Sequence, residues 1–413
     1  MRVYISGISG TGMGPLALFA NDAGYEVFGS DLSRGAIYEE LKKAGIEVSI
    51  GEQDGEFLRK KMKEGVDWFV YTSALPEDHP ELKMVREAGV KVSKRDDFTA
   101  FLVDELGLDM VAVAGTHGKT TTTAMIVWAA LKLGLPASYV VGTTLGFAPS
   151  GAYRPGDRYF IYEADEYDRN FLKFHPWTSV ITCVTYDHPD IYKKKRDYKA
   201  AFLQFKAQSG LVIDDADESI WKLSPDEFHL AGKARRKDAR LAAGAVFSMM
   251  PFMNPGEIID VIDEFPGVGR RFERIADGLY TDYAHHPEEI TATIDVALEE
   301  AKLRGKKGVV VIYQPHQNVR QHEVRDGYQE AFLGASKVYW LPTYLVREDP
   351  RLAVISPEEF IGELKNAEVA EATELSGELA EKIRAHLKAG ELVVLMTAGP
   401  ADEWLRKNFK KVK

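Results

Sequence analysis

The sequence predicts an α/β protein built from parallel sheets covered by helices, and three observations carry that reading. Short apolar runs such as "RVYISG", "YEVFGSD", "RYFIYEADEYD" and "GVVVIYQPH" alternate with amphipathic stretches along the chain, the pattern of strands joined by helical crossovers. Two of the runs end in glycine-rich turns that lead into helix-like sequence, "GISGTGM" at 7–13 and "GTHGKT" at 115–120. After Pro287, a residue suited to the first turn of a helix, Ile290, Ile294, Ala297 and Leu298 recur at helical spacing.

A chain of 413 residues implies two or three domains if each takes roughly 100–200 residues. With 45% apolar and 28% charged residues it has the composition of a globular protein with a substantial core. The formal charge of −11 provides no basic footprint for nucleic acid or an anionic membrane, so an anionic ligand has to be held by local groups. The start "MRVYISGISG" enters a strand directly, and no run of about 18 apolar residues follows. A cytoplasmic protein without a membrane span or an obligatory protein partner is expected. Cys183, the only cysteine, excludes an internal disulfide and a cysteine metal cluster, and is expected to be a small buried residue.

Three blocks of strands can be separated. The first runs from "RVYISG" through "YEVFGSD" and "VDWFVYTSA" to the polar stretch "KRDDFTAFLVDELGLD". The second opens with a strand at 111–114 and holds "RYFIYEADEYD" and "TSVITCVTYDHPD". The third follows "DEFPGVGRRFE" with "GLYTDYAHHP", "GVVVIYQPH", "SKVYWLP" and "ELVVLMTAG".

The segment "VAVAGTHGKTTTTAM" at 111–125 places an apolar strand before Gly115, Thr116, His117, Gly118, Lys119, Thr120 and Thr121. Such a turn lets backbone N–H groups approach an anion while the helix N-terminus adds positive potential. Lys119 then reaches the β- and γ-phosphates, and Thr120 or Thr121 offers a hydroxyl to Mg²⁺. The loop is a variant of the P-loop, because Val113 occupies the position of its first glycine.

Two further strand ends are acidic. "YEADEYD" presents Glu163, Asp165, Glu166 and Asp168, and "YDHPD" presents Asp187, His188 and Asp190. In doubly wound sheets ligands collect at the carboxyl ends of strands, and carboxylate and imidazole suit Mg²⁺ or Mn²⁺. At the N-terminus, Gly7–Met13 with Asp31 nineteen residues after Gly12 resembles a dinucleotide fingerprint. Taken alone, it fits an NAD site, another phosphate-rich ligand or a tight turn.

In order, "GISGTGMGPLA" with "GSDL", "AGTHGKTTTTAM", "EADEYD", "DHPD", "GVGRRFE", "DYAHHPEE" and "QPHQNVR" resemble the motifs of the Mur ligase family across nearly the whole chain. The resemblance implies three domains: a Rossmann-like UDP-sugar domain at 1–108, a shortened central P-loop ATPase-type domain at 109–264, and a Rossmann-like C-terminal domain at 265–413 that brings the amino acid. It implies an ATP-dependent ligase that joins L-alanine to UDP-N-acetylmuramate through an acyl-phosphate. Attachment of a recycled L-Ala-γ-D-Glu-diaminopimelate tripeptide to the same nucleotide sugar, or an inactive relative that only binds nucleotides, are the alternatives.

The resemblance also distributes roles. Gly7, Ser9, Gly10, Thr11, Gly12, Met13, Asp31 and Ser73 would bind the UDP-sugar, which replaces the NAD reading. Gly115, Thr116, His117, Gly118, Lys119, Thr120 and Thr121 would bind ATP, with Arg271 reaching it from the C-terminal domain. Lys119 would neutralise the transferred phosphate, Thr120 and Glu163 would hold one Mg²⁺, and His188 would hold a second. Asp282 matches the family's aspartate on the C-terminal domain, and His285 and His286 are candidates for orienting the amino acid, or form a helix N-terminal turn. Where the family has Gly-x-His-Asn-x-x-Asn to hold the base, this chain reads "GKARRKD", with Ala234, Arg235 and Asp238 at the changed positions. The Thr-Asn before the Asp-His motif reads Thr182-Cys183.

Overall fold

The computed structural model describes residues 1–413 except 73–74, 189–190, 216–222, 347 and 410–413. Its strands form three sheets. The first contains β1 (Arg2–Ser6), β2 (Glu26–Asp31), β3 (Glu47–Ile50), β4 (Trp68–Tyr71) and β5 (Lys91–Lys94) in the order β3-β2-β1-β4-β5, all parallel. The order reverses beside β1, so the glycine turn at 7–13 opens at a topological switch point, where ligands collect in such sheets.

The second sheet contains β6 (Asp109–Ala114), β7 (Ala137–Val140), β8 (Gly151–Ala152), β9 (Tyr159–Glu163), β10 (Thr178–Ile181) and β11 (Leu211–Ile213). Its order is β11-β10-β6-β9-β7-β8, parallel except for the β7–β8 pair. β6 lies between β9 and β10, with Val113 opposite both Glu163 and Val180. The ends of three parallel strands therefore meet at the turn after Ala114.

The third sheet contains β12 (Glu273–Ala276), β13 (Leu279–Asp282), β14 (Val309–Gln314), β15 (Lys337–Trp340), β16 (Ala370–Ala372) and β17 (Leu392–Thr397). The order is β12-β13-β17-β14-β15-β16, with β12 the antiparallel edge. β14 and β17 are buried along their whole length, as expected for central parallel strands covered on both faces.

The chain divides into two compact units, 1–228 with 237–266 and 229–236 with 267–413. In the first unit one apolar cluster runs through both sheets, from Val3, Ile5 and Phe19 to Phe160, Tyr162 and Phe205. Phe19 packs edge-on against Phe160 with ring centroids 4.9 Å apart. The polar stretch "KRDDFTAFLVDELGLD" is not a loose boundary. It forms the helix Arg95–Leu106, burying Phe98, Thr99, Leu102 and Val103 on one face, and its buried Asp96 accepts a 2.7 Å hydrogen bond from the Tyr162 hydroxyl on β9. Periodicity at 98, 99, 102 and 103 outweighs local polarity.

In the second unit the helix Pro287–Leu303 buries Ile290, Thr293, Ile294, Ala297 and Ala301. Leu298, expected on the buried face, is 37% exposed, because the stripe continues through Ala301. Among the described residues no helix is long and apolar enough to cross a membrane.

Replacing Phe19 by Ala empties a fully buried position at the seam between the first two sheets. An expected loss of about 3–5 kcal/mol is checked by the midpoint of urea unfolding.

Candidate active site

The turn after β6 is shaped by its glycines and by the segment that follows β10. Gly118 has φ +83, and a Cβ there would lie 2.6 Å from the Asp238 carboxylate, so a side chain is excluded on both counts. Thr182 donates its hydroxyl to the His117 carbonyl. Cys183 accepts the His117 N–H on Sγ at 3.2 Å and the Thr116 N–H on its carbonyl at 3.0 Å. Cys183 is half-buried rather than enclosed, because it forms a wall of this loop and not of the core. Thr182 and Cys183, the latter standing where the family has Asn, thus brace the turn themselves. Thr116 is part of the same scaffold: its hydroxyl donates to the Thr185 carbonyl at 2.6 Å and lies 2.8 Å from the Tyr198 hydroxyl.

Lys119 opens the helix Lys119–Lys132, and its ammonium lies 2.8 and 3.1 Å from the two carboxylate oxygens of Glu166. Glu166 is fully buried, and its carboxylate is also 3.5 Å from His188 Nε2. Burial pushes the Glu166 carboxyl upward, but Lys119 and His188 outweigh it and hold the group below its ordinary range. Burial lowers His188, and the hydrogen bond to Glu166 with the charge of Asp187 carries it above its usual value. Asp165 is raised by burial and by its neighbour Glu166.

Thr120 donates to Glu163 at 2.9 Å, and the second oxygen of Glu163 accepts the Gly142 N–H at 3.3 Å. Hydroxyl and carboxylate oxygen in contact beside Lys119 form a donor set that fits a hard divalent cation such as Mg²⁺. The expected ligands are therefore arranged as a Thr120–Glu163 pair and a Lys119–Glu166–His188 chain. Thr121, one helical position further, is half-buried. Asp190 lies outside the described residues.

In the first sheet, Gly7 and Ile8 N–H groups donate to the Ser30 carbonyl at 2.8 and 3.1 Å, and Ser9 N–H donates to Asp31 Oδ2 at 2.9 Å. Asp31 thus acts as a brace for the glycine loop. Met13 N–H returns to the Gly10 carbonyl, whereas Thr11 and Gly12 N–H groups have no acceptor among the described residues. Ser73 lies outside the described residues.

In the second unit, Asp282 ends β13 and accepts the N–H groups of Phe272 at 2.6 Å and Ala284 at 2.8 Å. Burial raises its carboxyl. It ties the Arg270–Phe272 turn to the start of the His-His-Pro segment. Arg270 and Arg271 hold their guanidinium groups 4.6 and 5.2 Å from the Tyr283 ring centroid. His286 is the N-cap of the helix Pro287–Leu303, and the Glu289 carboxylate accepts the N–H groups of His285 and His286 at 3.0 and 3.2 Å. The histidine pair sits at a helix N-terminal turn, with His285 Nδ1 3.0 Å from the Tyr283 carbonyl. His316 stands 5.7 Å from His285, ring to ring, and its Nδ1 is 3.4 Å from Arg320 Nη1.

Tyr283, His316 and Arg320 were not singled out from sequence, and Glu166 was named only with its acidic neighbours and given no role of its own. Glu166 is one of four acids in "YEADEYD", and which of them turns toward Lys119 depends on the reversal after β9. His316 and Arg320 lie in "QPHQNVR", where motif order was legible but individual contacts were not. Backbone strain marks the same places. The described non-glycine residues with positive φ are Asp168, Arg169, His188, Arg270, Phe272 and Gln317, a clustering expected where geometry is held for function.

Residues 2–105 match the Mur ligase family, catalytic domain, and residues 113–231 match the Mur ligase middle domain. A UDP-N-acetylmuramate–L-alanine ligase of Lactobacillus delbrueckii subsp. bulgaricus is 30% identical over 450 aligned positions, covering 98% of this chain and 96% of the relative. The crystal structure of a UDP-N-acetylmuramate–alanine ligase from Thermotoga maritima superposes with a TM-score of 0.79 at 24% identity, covering 99% of this chain and 98% of that one. A murein peptide ligase from Psychrobacter arcticus superposes with a TM-score of 0.64 at 22% identity, covering 100% and 99%.

Replacing Gly118 by Ala forces a side chain into a left-handed backbone position and against Asp238. A loss of more than about 1 kcal/mol is expected from the backbone alone. Isothermal titration with Mg·ATP is expected to show weaker binding, with far-ultraviolet circular dichroism unchanged.

Proposed function

The chain belongs to the Mur ligase family, and from that premise and the lysine-bearing phosphate loop we propose that it joins L-alanine to UDP-N-acetylmuramate at the expense of ATP, in peptidoglycan precursor synthesis. The observation that carries the reading is the Lys119 ammonium held in the turn after β6 beside the contacting Thr120–Glu163 pair. The relative from L. delbrueckii, similar over nearly the whole chain, supports the choice of acceptor.

The chemistry follows from need. A carboxylate does not condense with an amine at neutral pH without a better leaving group, and ATP supplies one by converting the carboxylate to an acyl-phosphate. Lys119 would exchange Glu166 for the γ-phosphate and follow its developing charge. Thr120, Glu163 and His188 are the residues suited to hold Mg²⁺, which when bound offsets phosphate charge and orients the transfer. Arg271 is assigned to ATP from the C-terminal domain, Asp282 to holding the Arg271 turn, and His285 and His286 to the incoming amino acid. Domain limits of 1–108, 109–264 and 265–413 are assigned to UDP-sugar, ATP and amino acid. The reaction is placed in the cytoplasm.

Phosphate release from Mg·ATP with UDP-N-acetylmuramate is the test, with L-alanine, other amino acids or the tripeptide added in turn. Stimulation by alanine with a UDP-muramoyl-alanine product is expected. Stimulation by tripeptide alone would assign the protein to cell-wall recycling, and no release despite nucleotide binding would leave it a binding protein.

His188 adopts a left-handed backbone that Asn tolerates well. His188→Asn is expected to leave the melting temperature within a few degrees while lowering the rate of phosphate release by about 10²-fold or more, the scale of losing an electrostatic stabiliser.

A further inference from the structure

We infer that Arg95 is the cation that grips the diphosphate of the UDP-sugar at the glycine-rich loop, an inference that rests on the ligase reading of that loop. The chain is acidic overall, so its long-range field repels a diphosphate and a local cation has to offset it. Arg95 is the first residue of the helix after β5. Its Nε and Nη2 donate to the two carboxylate oxygens of Asp96, each at 3.2 Å, and Nη2 is 3.9 Å from Asp165. Asp96 is itself fixed by the Tyr162 hydroxyl. One edge of the guanidinium is thereby clamped, which sets the direction of the remaining nitrogen.

That remaining nitrogen, Nη1, makes no hydrogen bond among the described residues and faces the loop. A Cβ on Gly12 would lie 2.9 Å from it, so glycine is what allows the guanidinium to approach the backbone. The loop presents matching groups. Gly7, Ile8 and Ser9 N–H groups are already bonded, but those of Thr11 and Gly12 are unpaired among the described residues. Ser9 Oγ, wholly buried, also lacks a partner there. Two open N–H groups, an unpaired hydroxyl and an oriented guanidinium nitrogen form a recognition set for phosphate oxygens at the start of the helix Gly14–Asp22. The neighbouring Lys94 is committed elsewhere, 2.7 Å from Asp168. A solely structural role, neutralising Asp96 and Asp165, would not require the open edge to abut Gly12.

The inference is tested by titrating the full chain with UDP and, separately, with Mg·ATP, for the unaltered protein and for Arg95→Gln and Arg95→Lys. The expected result is a tenfold or greater loss of UDP affinity in Arg95→Gln, partial recovery in Arg95→Lys, and Mg·ATP affinity within twofold throughout, as befits the loss of a charge-assisted contact. Unchanged UDP affinity in Arg95→Gln overturns the inference. Parallel loss of UDP and Mg·ATP affinity also overturns it, since it would mark Arg95 as a structural ion-pair partner. Absence of UDP binding to the unaltered protein would instead refute the ligase reading of the loop.

Discussion

The pairing of Lys119 with Glu166 is the interaction on which the central site depends. A carboxylate with no exposed surface is costly to ionise unless a cation and hydrogen bonds compensate it. Glu166 has both, from Lys119 and from the His188 ring beside it. The pair also restrains Lys119, whose ammonium is drawn back toward the Gly115 carbonyl as well. A phosphate entering the turn competes with a carboxylate for the same ammonium. The Lys119–Glu166 pair is therefore charge-balanced by itself, and for an entering phosphate charge exchange would replace the desolvation of a bare lysine.

The sheets provide the rigidity that this arrangement requires. The six described non-glycine residues with positive φ cost of order 1–3 kcal/mol each, and they persist because well-packed elements hold them. His188 follows β10, which is bonded to β6 on one side and β11 on the other. Arg270 and Phe272 are held by Asp282 at the end of β13 and by the Thr397 carbonyl at the end of β17.

The glycine loop after β1 and the acidic reversal after β9 are linked by a short polar path. Arg95 abuts Gly12, pairs with Asp96 and approaches Asp165, while Asp96 accepts from Tyr162 on β9. The helix that carries Arg95 and Asp96 looks on first inspection like an acidic boundary. Buried on one face, it joins the loop after β1 to the acidic reversal after β9.

Much of the architecture was legible in the sequence because its signals are local. Alternating apolar runs reported the strands, and Gly-Lys-Thr after an apolar strand reported a glycine turn that opens a helix, since strand burial, positive φ and helix initiation each constrain residue type at fixed spacing. Pro287 marked the helix start it predicts. What the chain by itself determined was thus the fold class and the order of motifs. Tertiary structure alone decided the pairings: Glu166 rather than Asp165 on Lys119, Cys183 on the phosphate loop, Asp31 as a brace, Leu298 at the margin of its helix, and Arg95 against Gly12. These contacts join residues tens of positions apart, and their choice depends on strand register and on the direction of reversals beyond the strand ends, which periodicity does not encode.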